Sequence, residues 1–302
     1  MSTTYSYLKT TIDSIRYHLD EPSQEGKYSD TVLLRNTLRQ SVQDVMHRVH
    51  NSSQTPVVCV YDFTIPTGLT SFTLPPCVGQ VYSLRLMDVA FENESYEIFR
   101  RHDLAIGDYN FRIEGNSIRI KDAQTSPLYL RLYYVHTGSG EWHYGGTGNE
   151  GTAATSSNVS TFTFDSSPTI GVIDKRVNAY AGQVVRCFPS TGLIEERVVE
   201  SYAFTSSVYR ATLRNPFDVV DGSVTYEVLP PGPPAMWDAV VYNACIRLGT
   251  VRQMTQKQMA YFHDLNRAAM KTLLETVGNS DGRQGKVFTD RTRDTEDLLI
   301  WV

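Results

Sequence analysis

The spacing of apolar residues changes from a helical to a strand period near residue 57, and back again near residue 236. This double switch constrains the fold more than any other feature of the chain. Before it, Leu8, Ile12, Ile15 and Leu19 fall at i, i+4, i+7 and i+11, on one face of a 3.6-residue helix. Pro22 and Gly26 break that helix. Ser29 or Asp30 can cap a second one, whose stripe is Leu34, Leu38, Val42, Val45 and Val49. Two stripes across a short break predict an antiparallel helical hairpin that needs a further partner to cover it.

From Val57 the period is two. Val57, Cys59, Tyr61, Phe63 and Ile65 alternate, as do Tyr82, Leu84 and Leu86, and Leu128, Leu130, Leu132 and Tyr134. Phe111–Ile113 and Ile118–Ile120 flank Gly115 and Asn116, a hairpin signal because these two residues tolerate the backbone of a tight turn. After a Gly/Ser/Thr-rich stretch, short strand patterns recur at roughly ten-residue spacing from Phe162 to Val228, which predicts a small barrel or sandwich. Pro230-Pro-Gly-Pro-Pro234 ends the strands. Helix returns at Met236, is expected to break at Gly249, and restarts near Thr255, where Thr255 and Gln258 form a capping box. Met259, Phe262, Leu265, Ala269 and Leu273 make that stripe, with Gly278 as its stop.

The expected fold class is α+β. N- and C-terminal helices (1–55 and 235–277) form one helical bundle, with inserted antiparallel β-sandwich or barrel units at 56–137 and 161–234. A linker is expected at 138–160 and an extended C-terminal arm at 278–302. No repeat of 20 to 50 residues is evident.

Composition narrows the function. A formal net charge of -5 with no basic run argues against a dominant nucleic-acid face, because phosphate contacts need clustered Lys and Arg. No signal-like leader and no apolar stretch of about 18 residues is seen, so neither secretion nor a membrane span is expected. Cys59, Cys77, Cys187 and Cys245 lack CxxC spacing and read as reduced, partly buried thiols of a cytoplasmic protein. The sequons at Asn51, Asn93 and Asn158 carry no weight without a secretory route.

Chemistry is sparse. His47 and His50 share a spacing two metal ligands could use, but no third ligand lies nearby. His136 and His143 flank a glycine loop that cannot hold ligand geometry unaided. Ser139 lacks the outer glycine spacing of a nucleophile elbow, and Gly145–Gly148 is followed by no Lys-Ser/Thr. Asp103 with Asp108, and Glu195 with Glu196, read as surface charges rather than an acid/base pair. Met254, Met259 and Phe262 read as core. No catalytic residue, metal ligand or cofactor site is assigned, and an enzyme is not expected. The arm differs: Leu298, Leu299, Ile300, Trp301 and Val302 end a polar segment and need something to cover them. They are the candidate interface with a neighbour or a larger partner, with Trp301 as the first anchor.

The order of parts resembles the head-to-tail adaptor (connector) family of tailed bacteriophages. The resemblance is carried by Tyr28-Ser-Asp30 before the second helix, Phe72-Thr-Leu-Pro-Pro76 followed by Val81-Tyr-Ser-Leu84, the segment Asn110–Ile120, Leu128–Tyr134, and Trp237–Ala244. Tyr180–Val185, Gly192–Arg197 and Tyr226–Pro230 resemble a small β module inserted in phage neck and tail proteins. The resemblance implies a non-enzymatic virion protein of the neck, made in the host cytoplasm. It would form a homo-oligomeric (dodecameric) ring below the portal protein and meet a downstream tail or nozzle protein. Double-stranded DNA would pass through without sequence-specific binding. Such a ring needs a head-to-tail interface on each subunit, expected on the helices, with Tyr261, His263 and Arg267 as candidates. The alternative is a tail-fibre, receptor-binding or glycan-binding component, in which the aromatic β units would take host glycans; a virion hydrolase would need a convergent catalytic set.

Overall fold

The computed structural model describes residues 6–21, 29–52, 57–91, 93–99, 110–150, 160–189, 194–213, 216–217, 223–278 and 286–288. Helix α1 is Tyr7–His18; α2 (Asp30–Leu33) runs through a π turn at Leu34–Leu38 into α3 (Arg39–Ser52). The first β unit holds β1 Val57–Ile65, β2 Ser71–Thr73, β3 Val78–Met87, β4 Glu94–Phe99, β5 Phe111–Glu114, β6 Ser117–Ile120 and β7 Leu128–His136. The second holds β8 His143–Tyr144, β9 Gly148–Glu150, β10 Ser160–Phe164, β11 Ile170–Gly171, β12 Val184–Phe188, β13 Glu195–Thr205, β14 Val208–Leu213 and β15 Ser223–Leu229. Then come α4 Met236–Val251, α5 Gln256–Gly278 and β16 Lys286–Phe288. The protein is α+β, as its apolar periods imply.

In the first β unit a sheet ordered β16-β1-β7-β3-β4 faces a three-stranded sheet ordered β2-β6-β5. Their alternating residues form one core: Cys59, Tyr61, Phe63 and Ile65 from β1, Leu130, Leu132 and Tyr134 from β7, and Phe111, Ile118 and Ile120 from the smaller sheet. Phe63 and Phe72 stack at 4.1 Å between ring centres. The β5–β6 turn places Gly115 at φ 60°, as its sequence predicts. One strand was not expected: within the segment read as an extended arm, β16 pairs with β1 in parallel, Val58 opposite Val287.

The second unit closes on itself. Its strands run β15-β12-β13-β14-β10-β9, and β9 pairs with β15 as well as β10. Phe162, Phe164, Tyr180, Tyr202 and Tyr226 fill the interior. The glycine-rich stretch read as a linker supplies two strands of this unit, β8 and β9. Its glycines serve close packing: a Cβ on Gly148 would sit 2.2 Å from the Phe162 ring, and one on Gly140 would sit 2.3 Å from Gln183 Nε2. The backbone must pass where no side chain fits.

The third core draws on both ends of the chain. Leu8, Ile12, Ile15 and Leu19 of the first stripe, and Leu34, Leu38, Val42, Val45 and Val49 of the second, join Val240, Ala244, Leu248, Phe262 and Leu273. Burying each large side chain contributes about 1.5–3 kcal/mol. Trp142, Ile170 and Leu229 of the second β unit join the same cluster. The expected hairpin is not how α1 packs: it lies along α4, whereas α3 contacts α4 and α5. Nor does Gly249 break the helix. It lies inside α4, where a Cβ would come within 2.7 Å of Met259 Sδ, so glycine lets α5 start close by. The capping box forms as expected, with Thr255 N donating to Gln258 Oε1 at 3.1 Å and Gln258 N donating to Thr255 Oγ1 at 3.3 Å.

Candidate interface on the helices

Helix α1 is fixed at its start by a buried charge network. Ser6 caps it, accepting from Lys9 N at 3.1 Å, and donates its hydroxyl to Glu227 Oε2 at 2.7 Å. Glu227, fully buried on β15, also accepts from the amides of Tyr7 and Leu8, each at 3.0 Å. Arg186 Nη1 donates to its other oxygen at 3.1 Å, and the same guanidinium lies 4.0 Å from the Tyr7 ring centre. A carboxylate at a helix N-terminus satisfies amides that have no partner within the helix. Burial raises the Glu227 carboxyl against the pull of these donors.

With its inner stripe buried, α1 turns Tyr17 outward at 82% exposure, the highest of any large hydrophobic side chain among the described residues. From there a line of rings crosses three helices. His18 lies 5.7 Å from Tyr17, 5.4 Å from Tyr242 on α4, and 6.1 Å from Phe262 on α5; Phe262 lies 5.7 Å from Tyr261. Burial lowers the His18 pKa, and burial followed by the nearby charge of Asp238 raises the Tyr242 hydroxyl. Asp238 and Asp264 are exposed at the rim. Tyr-rich exposed patches are typical of protein interfaces.

On another side of α4, the π turn borders a groove of about 470 Å³ lined by Val32, Asn36, Thr37, Arg247, Thr250 and Val251 among others. Arg247 is fixed along it: Nη1 donates to Gln40 Oε1 at 3.0 Å, and Nε lies 3.2 Å from Asp44 Oδ2 and from Asn243 Oδ1. Val32 and Val251 are exposed beside it, and Arg35 is exposed on the π turn. A π turn inserts a residue into the helical register and is found frequently at functional sites. A second hollow of about 580 Å³ follows from Val251 around the α4–α5 turn.

Of the candidate subunit-interface residues, Tyr261 is in the aromatic patch, and His263 and Arg267 are exposed further along α5, Arg267 paired with Asp264 at 3.5 Å. Leu298, Leu299, Ile300, Trp301 and Val302 lie outside the described residues, as do Asp103 and Asp108. Tyr17 was missed, although it sits off the α1 stripe, where a large ring has no inner partner. The groove could not be read locally, because its walls come from residues about 200 positions apart.

The remaining residues with possible chemistry are spread over separate local contacts. His136 and His143 are buried, Gly138 N donates to His136 Nδ1 at 2.9 Å, and His143 Nε2 lies 3.0 Å from the Tyr226 hydroxyl. His47 contacts Asn51, Ser139 Oγ accepts from Gln43 Nε2 at 3.3 Å, and Glu195 and Glu196 pair with Arg197 and Arg186. The four cysteines are free and buried. Among the described residues no three His, Cys, Asp or Glu side chains cluster as metal ligands, and no helix is long and apolar enough to cross a membrane. What the described residues leave exposed is the Tyr17–Tyr261 patch and the groove beside Arg247, on the helices of an α+β protein. A comparison with known protein families finds none that matches the chain, and a comparison with curated proteins finds no match either.

Proposed function

We propose that this chain is a structural subunit of a ring that joins a phage head to its tail. The observation that carries the reading is the shared helical core: helices from both ends of the chain meet in one buried cluster, with both β units inserted between them. We read these helices as one bundle, the part of the subunit that meets its neighbours in a ring, with the β units projecting from it. The segments that resemble the adaptor family support this layout where they are described: Ser29 and Asp30 at the start of α2, Asn110–Ile120 over the β5–β6 hairpin, and Trp237–Ala244 in α4. In this reading the ring sits below the portal protein in the virion neck, receives a tail or nozzle protein beneath it, and lets double-stranded DNA pass. Leu298–Val302 would latch onto the portal.

The glycan-binding alternative has less to stand on, because five rings of the second β unit (Phe162, Phe164, Tyr180, Tyr202 and Tyr226) are buried. The test is electron microscopy of the portal mixed with the full chain, and with a chain ending at Asp297. A ring added by the full chain but not by the shortened one supports both the adaptor role and the latch. Failure of both chains to add a ring would sink the adaptor reading.

A further inference from the structure

We infer that copies of this chain associate head to tail, with Tyr17 and Tyr261 of one copy seated in the groove between Val32 and Val251 of the next. The inference rests on the ring reading above and names the contact that would build the ring.

Three observations converge on it. First, patch and groove open on different sides of one helix. Tyr242 belongs to the patch and Val251 to the groove; nine residues separate them, or two and a half turns at about 3.6 residues per turn, which places them on opposite faces of α4. Two different surfaces on opposite sides of a subunit give a heterologous contact, the kind that generates rings. A two-fold dimer would need one self-complementary surface instead.

Second, the charges suit patch on groove and disfavour patch on patch. Asp238 and Asp264 stand exposed at the patch, with Arg267 drawn to Asp264. Arg35 stands exposed beside the groove, and Arg247, partnered by Asp44, lines it. Placing two copies of the patch face to face would bring like charges together.

Third, the two exposed rings bring substantial contact area. An aromatic side chain brings about 150–250 Å² of surface to a contact, so two rings supply part of the roughly 800 Å² per partner of a standard interface.

Cysteine cross-linking of the full chain tests this directly, since its own four cysteines are buried. Tyr17→Cys and Val251→Cys are made separately and together, at exposed positions that leave the core intact. They are treated with a short bis-maleimide, free at the highest soluble concentration and mixed with the portal. The expected result is that neither single variant cross-links alone, their mixture gives covalent dimers, and the double variant gives a ladder. Tyr261→Cys with Val32→Cys is the independent second pair. Removing both rings (Tyr17→Ala with Tyr261→Ala) should weaken association about tenfold or more. Dimers of Tyr17→Cys alone, or no cross-link from either pair in either state, would overturn the inference. A ring on the portal without the cross-links leaves the adaptor reading standing and this contact wrong. Ladders without portal attachment do the reverse.

Discussion

Glu227 Oε2 accepts the amide hydrogen of Leu8 at 3.0 Å, joining residues 219 positions apart. The second β unit thereby caps the first helix, and Arg186 shares the same carboxylate. Changing Glu227 to Ala leaves Arg186 with Glu196 as its ion-pair partner and strips three donors of their acceptor. Removing one partner of a buried pair is strongly destabilising, so the expected loss is about 3 kcal/mol by urea unfolding. Glu227→Gln keeps an acceptor and should cost less. Equal losses for the two variants would show that the charge network does not hold α1.

The two buried histidines predict a weakening in mild acid. Burial lowers His136 and His143 to about 3, while in the unfolded chain each titrates near 6.5. The unfolded state therefore takes up protons first as pH falls, and stability is lost below about pH 6.5. From pH 7.5 to 5.5 the two together should cost about 3 kcal/mol, at about 1.4 kcal/mol per pH unit for each fully titrating group. The urea midpoint should fall with little change in slope; an unchanged midpoint would contradict their burial as neutral rings.

Gly140 and Gly115 should respond differently to alanine. Both have positive φ, which costs an L-residue about 1–2 kcal/mol. Around Gly115 there is open space, so little more is expected. At Gly140 the added Cβ would strike Gln183, which is fully buried and holds Trp142 Nε1 at 3.1 Å and the Ser139 carbonyl at 3.1 Å. Gly140→Ala should lose about 2–4 kcal/mol in all. Thermal unfolding of the pair decides it, and equal shifts would mean that Gln183 moves aside freely.

The thiols should be inert while the chain is folded. Burial pushes Cys77 and Cys245 up to about 12, so the reactive thiolate is scarce near neutrality. A thiol-specific disulfide reagent at pH 8 should find no reacting cysteine in the native protein and four after denaturation. Rapid labelling of the native chain would mean that a cysteine is more accessible than its burial allows.

What the sequence revealed was what one element decides alone. The Leu8–Leu19 stripe, the Thr255 box and the Gly115 turn are local patterns whose physics closes within a few residues. Partner choice was not legible: the α1 stripe is equally apolar whether it meets α3 or α4. Glycines misled for a related reason, since Gly140, Gly148 and Gly249 mark close approach by distant groups and carry the same letter as a loop. The π turn hid because Leu34, Leu38 and Val42, each four apart, suit either register. Tyr261 belongs to one helix, whereas the groove exists only once α2 and α4 are side by side.

The shared core of the terminal helices also sets an order of events during synthesis. Leu34 and Leu273 belong to one cluster but are made 239 residues apart, roughly 10 to 50 seconds of translation at about 5–20 residues per second. The second β unit is contiguous and can close as soon as it leaves the ribosome, and the first can form all but its late strand β16. The first-made helices must wait, apolar stripes uncovered, until α4 and α5 emerge. Nascent chains halted at residue 235 should therefore be cut by protease between Leu8 and Val49, while chains carried past residue 277 resist, making these two helices the natural hold for a chaperone.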